Sequence, residues 1–129
     1  GLPVAVTSTY RVRELRIELL HPAILVLAKL ERWFANHAST SRQAKRKATS
    51  DRHDIRFLIF WLSENGESIR FHEYHGKTKP EVLAMVRQYH NKYAGDVEQM
   101  VKLRAVMLDD WDTILASSSE QETEPDLPP

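Results

Sequence analysis

Apolar and polar positions change spacing several times along the chain, and each change marks an element. From Val4-Ala5-Val6-Thr7 through Tyr10-Arg11-Val12-Arg13 to Leu19, apolar and polar residues alternate at period two with β-branched side chains among them. That pattern predicts one or two strands over 4–19, exposed on one face. His21-Pro22 ends it, and proline suits a first helical turn. Residues 22–37 then read as a helix, with Ile24, Leu27, Leu30 and Phe34 on one stripe, widened by Leu25, Val26 and Trp33. Residues 38–50 show no apolar periodicity and read as a basic loop. Ser50 or Asp51 caps a second helix over 51–64, which Asn65-Gly66 ends and whose run Phe57 to Leu62 is apolar all round.

The alternation of Ile69 and Phe71 over 67–74 predicts a short strand or extended connector. Thr78-Lys79-Pro80-Glu81 opens a third helix over 79–93, carrying Val82, Met85, Val86 and Tyr89. Gly95-Asp96 separates it from a last helix over 96–116. The serine, acid and proline of 118–129 offer little to bury and read as a disordered acidic tail. The fold expected is mainly α: about four helices packed as a small bundle in one domain over 1–117, with one or two short N-terminal strands.

Composition narrows the function classes. The chain has 129 residues, 42% hydrophobic and 28% charged, enough for one core. Its net charge is zero, yet Glu120, Glu122, Glu124 and Asp126 lie in the last ten residues, leaving 18 bases against 14 acids before them. A surplus of four permits phosphate binding without demanding it. No cysteine occurs, which excludes disulfides and thiolate metal sites and fits an intracellular protein, cytoplasmic or nuclear. No apolar run reaches the roughly 18 residues of a membrane span. Gly1 stands where a methionine would begin a chain, which suggests a processed chain or a piece of a longer one.

Several catalytic classes lack their equipment. The six histidines show no His-x3-His or Glu-x2-His spacing, so no metal is expected. There is no Gly-x-Ser-x-Gly elbow and no glycine-rich phosphate loop, and Gly76-Lys77-Thr78 reads as a helix cap. Asp110 and Asp112 diverge by roughly 200° on a helix, so they read as a solvated face. What remains is cationic: Arg42, Lys45, Arg46, Lys47, Arg52 and Arg56 over 42–56 could contact phosphates, whether of a nucleotide or of nucleic acid. Lys29 interrupts an apolar stripe and needs an acid, for which Asp51 and Asp54 are the candidates. These residues form either a structural clasp or part of an anion site.

Leu19-Leu20-His21-Pro22, the helix with Leu27-Ala28-Lys29-Leu30, the basic connector, and Ser50-Asp51-x-x-Asp54-Ile55-x-x-Leu58 together resemble the second half of a nucleotidyltransferase-fold protein. The similarity is to the minimal and toxin-type nucleotidyltransferases, including fungal members, and covers about residues 10–92. The resemblance implies a lysine near the nucleotide triphosphate, at Lys29, and bracing acids at Asp51 and Asp54. The family's Gly-Ser turn and paired strand carboxylates are missing, since this chain has no Gly-Ser dipeptide and its Asp-x-Asp lies at 110–112. The expectation is therefore a non-catalytic module with a residual phosphate surface at Lys29, Lys45, Arg46, Lys47 and Arg52. No cofactor is expected, and a nucleotide with magnesium enters only if sequence outside this chain supplies the catalytic half. A protein partner or a second copy of the chain is the expected partner, with nucleic acid at 42–56 as a further candidate and no membrane.

Overall fold

A computed structural model of the chain describes residues 20–123, with side chains described as far as Ala116. The strands expected over 4–19 lie outside the described residues. Five α-helices follow: α1 (Pro22–Asn36), α2 (Arg42–Glu64), α3 (Lys79–Lys92), α4 (Val97–Val106) and α5 (Leu108–Thr123), with a 3-10 turn at Phe71–Glu73 before α3. The mainly helical bundle is as expected, but there are five helices among the described residues where about four were anticipated.

The largest correction concerns the basic loop. Residues 42–50 are helical: α2 begins at Arg42, capped by the Ser41 hydroxyl, which accepts from the Ala44 amide at 3.3 Å. Neither Ser50 nor Asp51 caps it. Arginine, lysine, glutamine and alanine are good helix formers, so nothing in 42–48 resists the conformation. The inward stripe also continues through the segment as Ala44 and Ala48, then Asp51, Ile55, Leu58, Ile59 and Leu62. Small alanines and one acid disguise it.

The helix expected over 96–116 is two helices. Val106 spends its carbonyl on the Ile69 amide, at 2.8 Å, and Met107 (φ −145°, ψ 44°) leaves the helical region. The break lets α4 pack on α2 while α5 packs on α3. The short strand or extended connector expected over 67–74 is a connector: Ile69 bonds Val106, Arg70 bonds the Ala23 carbonyl at 3.1 Å, and Phe71–Glu73 close a 3-10 turn. The tail expected from 118 is helical to Thr123, as the end of α5. Residues 124–129 lie outside the described residues.

Local signals otherwise act as their chemistry dictates. Thr78 and Glu81 form a reciprocal capping box on α3, and Gly66 (φ 66°) ends α2 while the Glu67 amide reaches back to the Leu62 carbonyl at 2.9 Å. The core lies between α1, α2 and α3, with Leu27, Leu30, Trp33, Ile55, Ile59, Leu62, Val86 and Tyr89 almost fully buried. Trp33 meets Tyr89 edge to face, centroids 5.1 Å apart at 78°.

A polar relay runs from the core to its surface. The Tyr89 hydroxyl donates to Gln99 Oε1 at 2.5 Å, Gln99 Nε2 donates to Asp96 Oδ2 at 3.0 Å, and Arg56 Nε donates to the same carboxylate at 2.7 Å. It ties α2, α3 and α4 together. Burial, then the neighbouring Tyr93, pushes the Tyr89 phenol above its ordinary range, so it stays a donor. No helix among the described residues is long and apolar enough to cross a membrane.

Candidate functional site

At about 100° per residue, the cations of α2 divide around the helix. Lys47, Asp51 and Asp54 fall on the flank that faces Lys29 and Arg32 of α1; Lys45, Thr49 and Arg52 fall on the opposite flank; Arg46 points away from both.

The first flank is a closed electrostatic clasp. Asp51 is fully buried and takes two hydrogen bonds from Arg32, Nε to Oδ2 at 3.0 Å and a terminal nitrogen to Oδ1 at 2.8 Å. Lys29 Nζ donates to Asp54 at 2.8 Å and stands 3.8 Å from Asp51. The Asp51 hydrogen bond holds the Arg32 guanidinium above its ordinary range. Two cations and two acids balance here, and the lysine that the nucleotidyltransferase resemblance would aim at a triphosphate is engaged with Asp54. Arg32 was missed from sequence, because an arginine one turn from Lys29 on a helix looks like ordinary solvated surface.

The second flank opens onto a cavity of about 200 Å³ lined by Trp33, His37, Lys45, Ala48, Thr49, Arg52, Lys92 and Tyr93. Three cations face it from two helices, and its lining contains no carboxylate. Among the described residues, Lys45, Arg52 and Lys92 form no ion pair, whereas Arg56, one turn beyond Arg52, is taken by Asp96. The Arg52 guanidinium instead lies over the Tyr93 ring, 4.2 Å from its centroid. That contact fixes the guanidinium without neutralising it.

His37 forms the remaining wall. It caps the C-terminus of α1, and its ring stacks on Trp33 with centroids 4.0 Å apart and planes 8° from parallel. Its Nδ1 is buried without a hydrogen-bond partner. Burial, then the Lys92 charge, lowers its pKa, so the ring is neutral near pH 7.

The structure thus brings Lys45 and Arg52 into one cavity and keeps Lys29, Arg46 and Lys47 out of it. Sequence reasoning missed Lys92, His37 and Tyr93, which reach the pocket only through tertiary packing of α1 and α3 on α2. Among the described residues, no group of three or more His, Asp or Glu side chains could hold a metal ion. No family model, curated protein or solved structure matches this chain.

Proposed function

We propose that this chain is a non-catalytic helical module that holds an anionic group, of the phosphate class, in the pocket between α1, α2 and α3. The observation that carries the reading is the convergence of Lys45, Arg52 and Lys92 on one cavity with no acid in its lining. Like charges gathered without counter-charge repel one another, and a bound anion removes that repulsion. Arginine and lysine also supply the donors a tetrahedral oxyanion accepts. At about 200 Å³ the cavity is smaller than the roughly 300–1,000 Å³ of a site that encloses a drug-sized ligand. It suits a phosphate-sized group, with whatever carries that group left in solvent. The resemblance to the C-terminal part of nucleotidyltransferases supports a phosphoryl anion, and the missing Gly-Ser turn and paired carboxylates support the absence of catalysis.

Titration with inorganic phosphate, followed by amide NMR, tests this. Shifts should be largest at Trp33, His37, Lys45, Ala48, Thr49, Arg52, Lys92 and Tyr93 and disappear in a Lys45→Gln, Lys92→Gln double variant. Shifts of equal size at Arg42, Arg46 and Lys47, or none at all, would remove the reading.

A second reading, self-association, has its own support in exposed apolar side chains: Phe57 and Val97 are each 67% exposed, and Val101 and Leu108 each 63%. Sedimentation at rising concentration tests it, and a strict monomer counts against it.

A further inference from the structure

Resting on the anion-holding reading, we infer that the pocket takes a tetrahedral dianion together with one proton, which His37 accepts from solution. The geometry places an imidazole with a buried, unpartnered ring nitrogen in the wall of a cationic cavity. Among the described residues, the groups that stack on that ring or share its cavity are neutral or positive. Trp33 and Phe34 flank it from α1, Lys45 and Arg52 share its cavity from α2, and Lys92 and Tyr93 do so from α3; no carboxylate approaches from any of them. A fourth positive charge beside these cations is therefore unfavourable, in agreement with the lowered pKa.

A bound dianion reverses the sign of the local field. Its two negative charges outweigh the repulsion from Lys92 and favour the charged imidazolium over the neutral ring. The proton moves from water to a ring nitrogen of His37 as the anion enters, and no covalent bond is made or broken. By linkage, affinity must then rise as pH falls across the interval between the free and the bound histidine pKa. A monoanion gains less from the extra donor, so the device also discriminates by charge.

Sulfate is the suitable probe, because it does not titrate between pH 5.5 and 8, where lysine and arginine side chains also keep their charge. Calorimetry in two buffers of different ionisation enthalpy should show net proton uptake by the full chain at pH 6.5. Sulfate affinity should be a few-fold higher at pH 6 than at pH 8, below the tenfold ceiling that a shift of about one unit sets for a single site. His37→Gln should still bind sulfate, with neither proton uptake nor pH dependence. If that variant does not fold, the His37 ring pKa followed by NMR in the wild type gives the same answer and should rise on adding sulfate. Binding without proton uptake, or uptake retained by His37→Gln, overturns the coupling while leaving the anion site standing. No sulfate binding by the wild type, or binding unchanged in Lys45→Gln, Lys92→Gln, overturns the site itself. Comparing inorganic phosphate with phenyl phosphate identifies the source. Tighter binding of the ester assigns the pocket to a phosphomonoester, and tighter binding of the free ion assigns it to inorganic phosphate; either order supports the dianion class.

Discussion

Arg32 and Asp51 form one ion pair with two unequal ends, and cutting it from each end should give different answers. The Asp51 side chain is fully buried, whereas that of Arg32 is 58% exposed. Arg32→Ala leaves a carboxylate inside the protein with only Lys29 in reach, at 3.8 Å. Orphaning a buried charge costs about 3–5 kcal/mol, and the remaining lysine places this case near 3 kcal/mol. Asp51→Ala instead leaves a guanidinium that turns to water, so only the net worth of two hydrogen bonds and a small void is lost, about 1–2 kcal/mol. Removing both should cost about as much as Asp51→Ala alone, far below the sum of the singles. Urea denaturation followed by circular dichroism measures all three. For a domain of this size the Arg32→Ala loss corresponds to more than about 10 °C in Tm. A larger effect from Asp51→Ala than from Arg32→Ala, or an additive double variant, would refute the reasoning. Asp54→Ala is the internal control: its side chain is 46% exposed, so the Lys29 pair should contribute less than about 1 kcal/mol.

The other predictions concern separate parts of the fold. Gly66→Ala should cost about 1 kcal/mol from backbone strain alone, since φ is 66° and an added Cβ meets nothing within 4 Å; thermal denaturation checks it. Tyr89→Phe should cost about 1–3 kcal/mol because it strands the fully buried Gln99 side-chain oxygen, and adding Gln99→Leu should recover part of the loss in the same assay. Arg56, chiefly by its hydrogen bond, holds the Asp96 carboxyl below its ordinary value of 3.8, so its contribution is present above that value and lost as pH falls through the lower folded value. Acid titration of Arg56→Gln should therefore show a shallower loss of stability below about pH 4 than the parent protein. Lys92→Gln should leave the stability of the anion-free protein unchanged within about 0.5 kcal/mol, or raise it, when measured in chloride buffer without phosphate or sulfate.

Where side chains are large and apolar, the chain's spacing was enough to locate α1 and α3 to within a residue of their ends. It failed at α2 because the inward stripe between Ser41 and Ile55 is built from Ala44, Ala48 and Asp51, two residues too small to register as apolar periodicity and one of opposite character. Asp51 could stand there only because Arg32 satisfies it, and the partner of a buried acid on another helix is not written in local sequence. The break at Met107 was hidden for a related reason: it depends on the Val106 carbonyl being taken by Ile69, almost forty residues earlier. Likewise, Lys45 and Arg52 were visible as cations, but their division from Arg46 and Lys47 followed only once 42–50 was helical. Lys92 and His37, at the ends of α3 and α1, became pocket residues through packing alone.

The two flanks of α2 obey opposite energetic logic, and that contrast separates architecture from function. On the α1 side Lys29, Arg32, Asp51 and Asp54 each have a counter-charge within 4.0 Å, so each removal should cost stability in proportion to how deeply its partner is buried. On the pocket side Lys45, Arg52 and Lys92 repel one another, and the buried Nδ1 of His37 lacks a partner. Lys45 and Lys92 are exposed, so solvent screens that repulsion and its cost to folding is small. The carbonyl ends of α1 and α3 ease the repulsion, as cations near a helix C-terminus gain about 0.3–1 kcal/mol, but they do nothing for Lys45 or Arg52 in the first half of α2. Cations gathered without counter-charge are what the proposed dianion would resolve, so their removal should weaken anion binding and leave the fold intact.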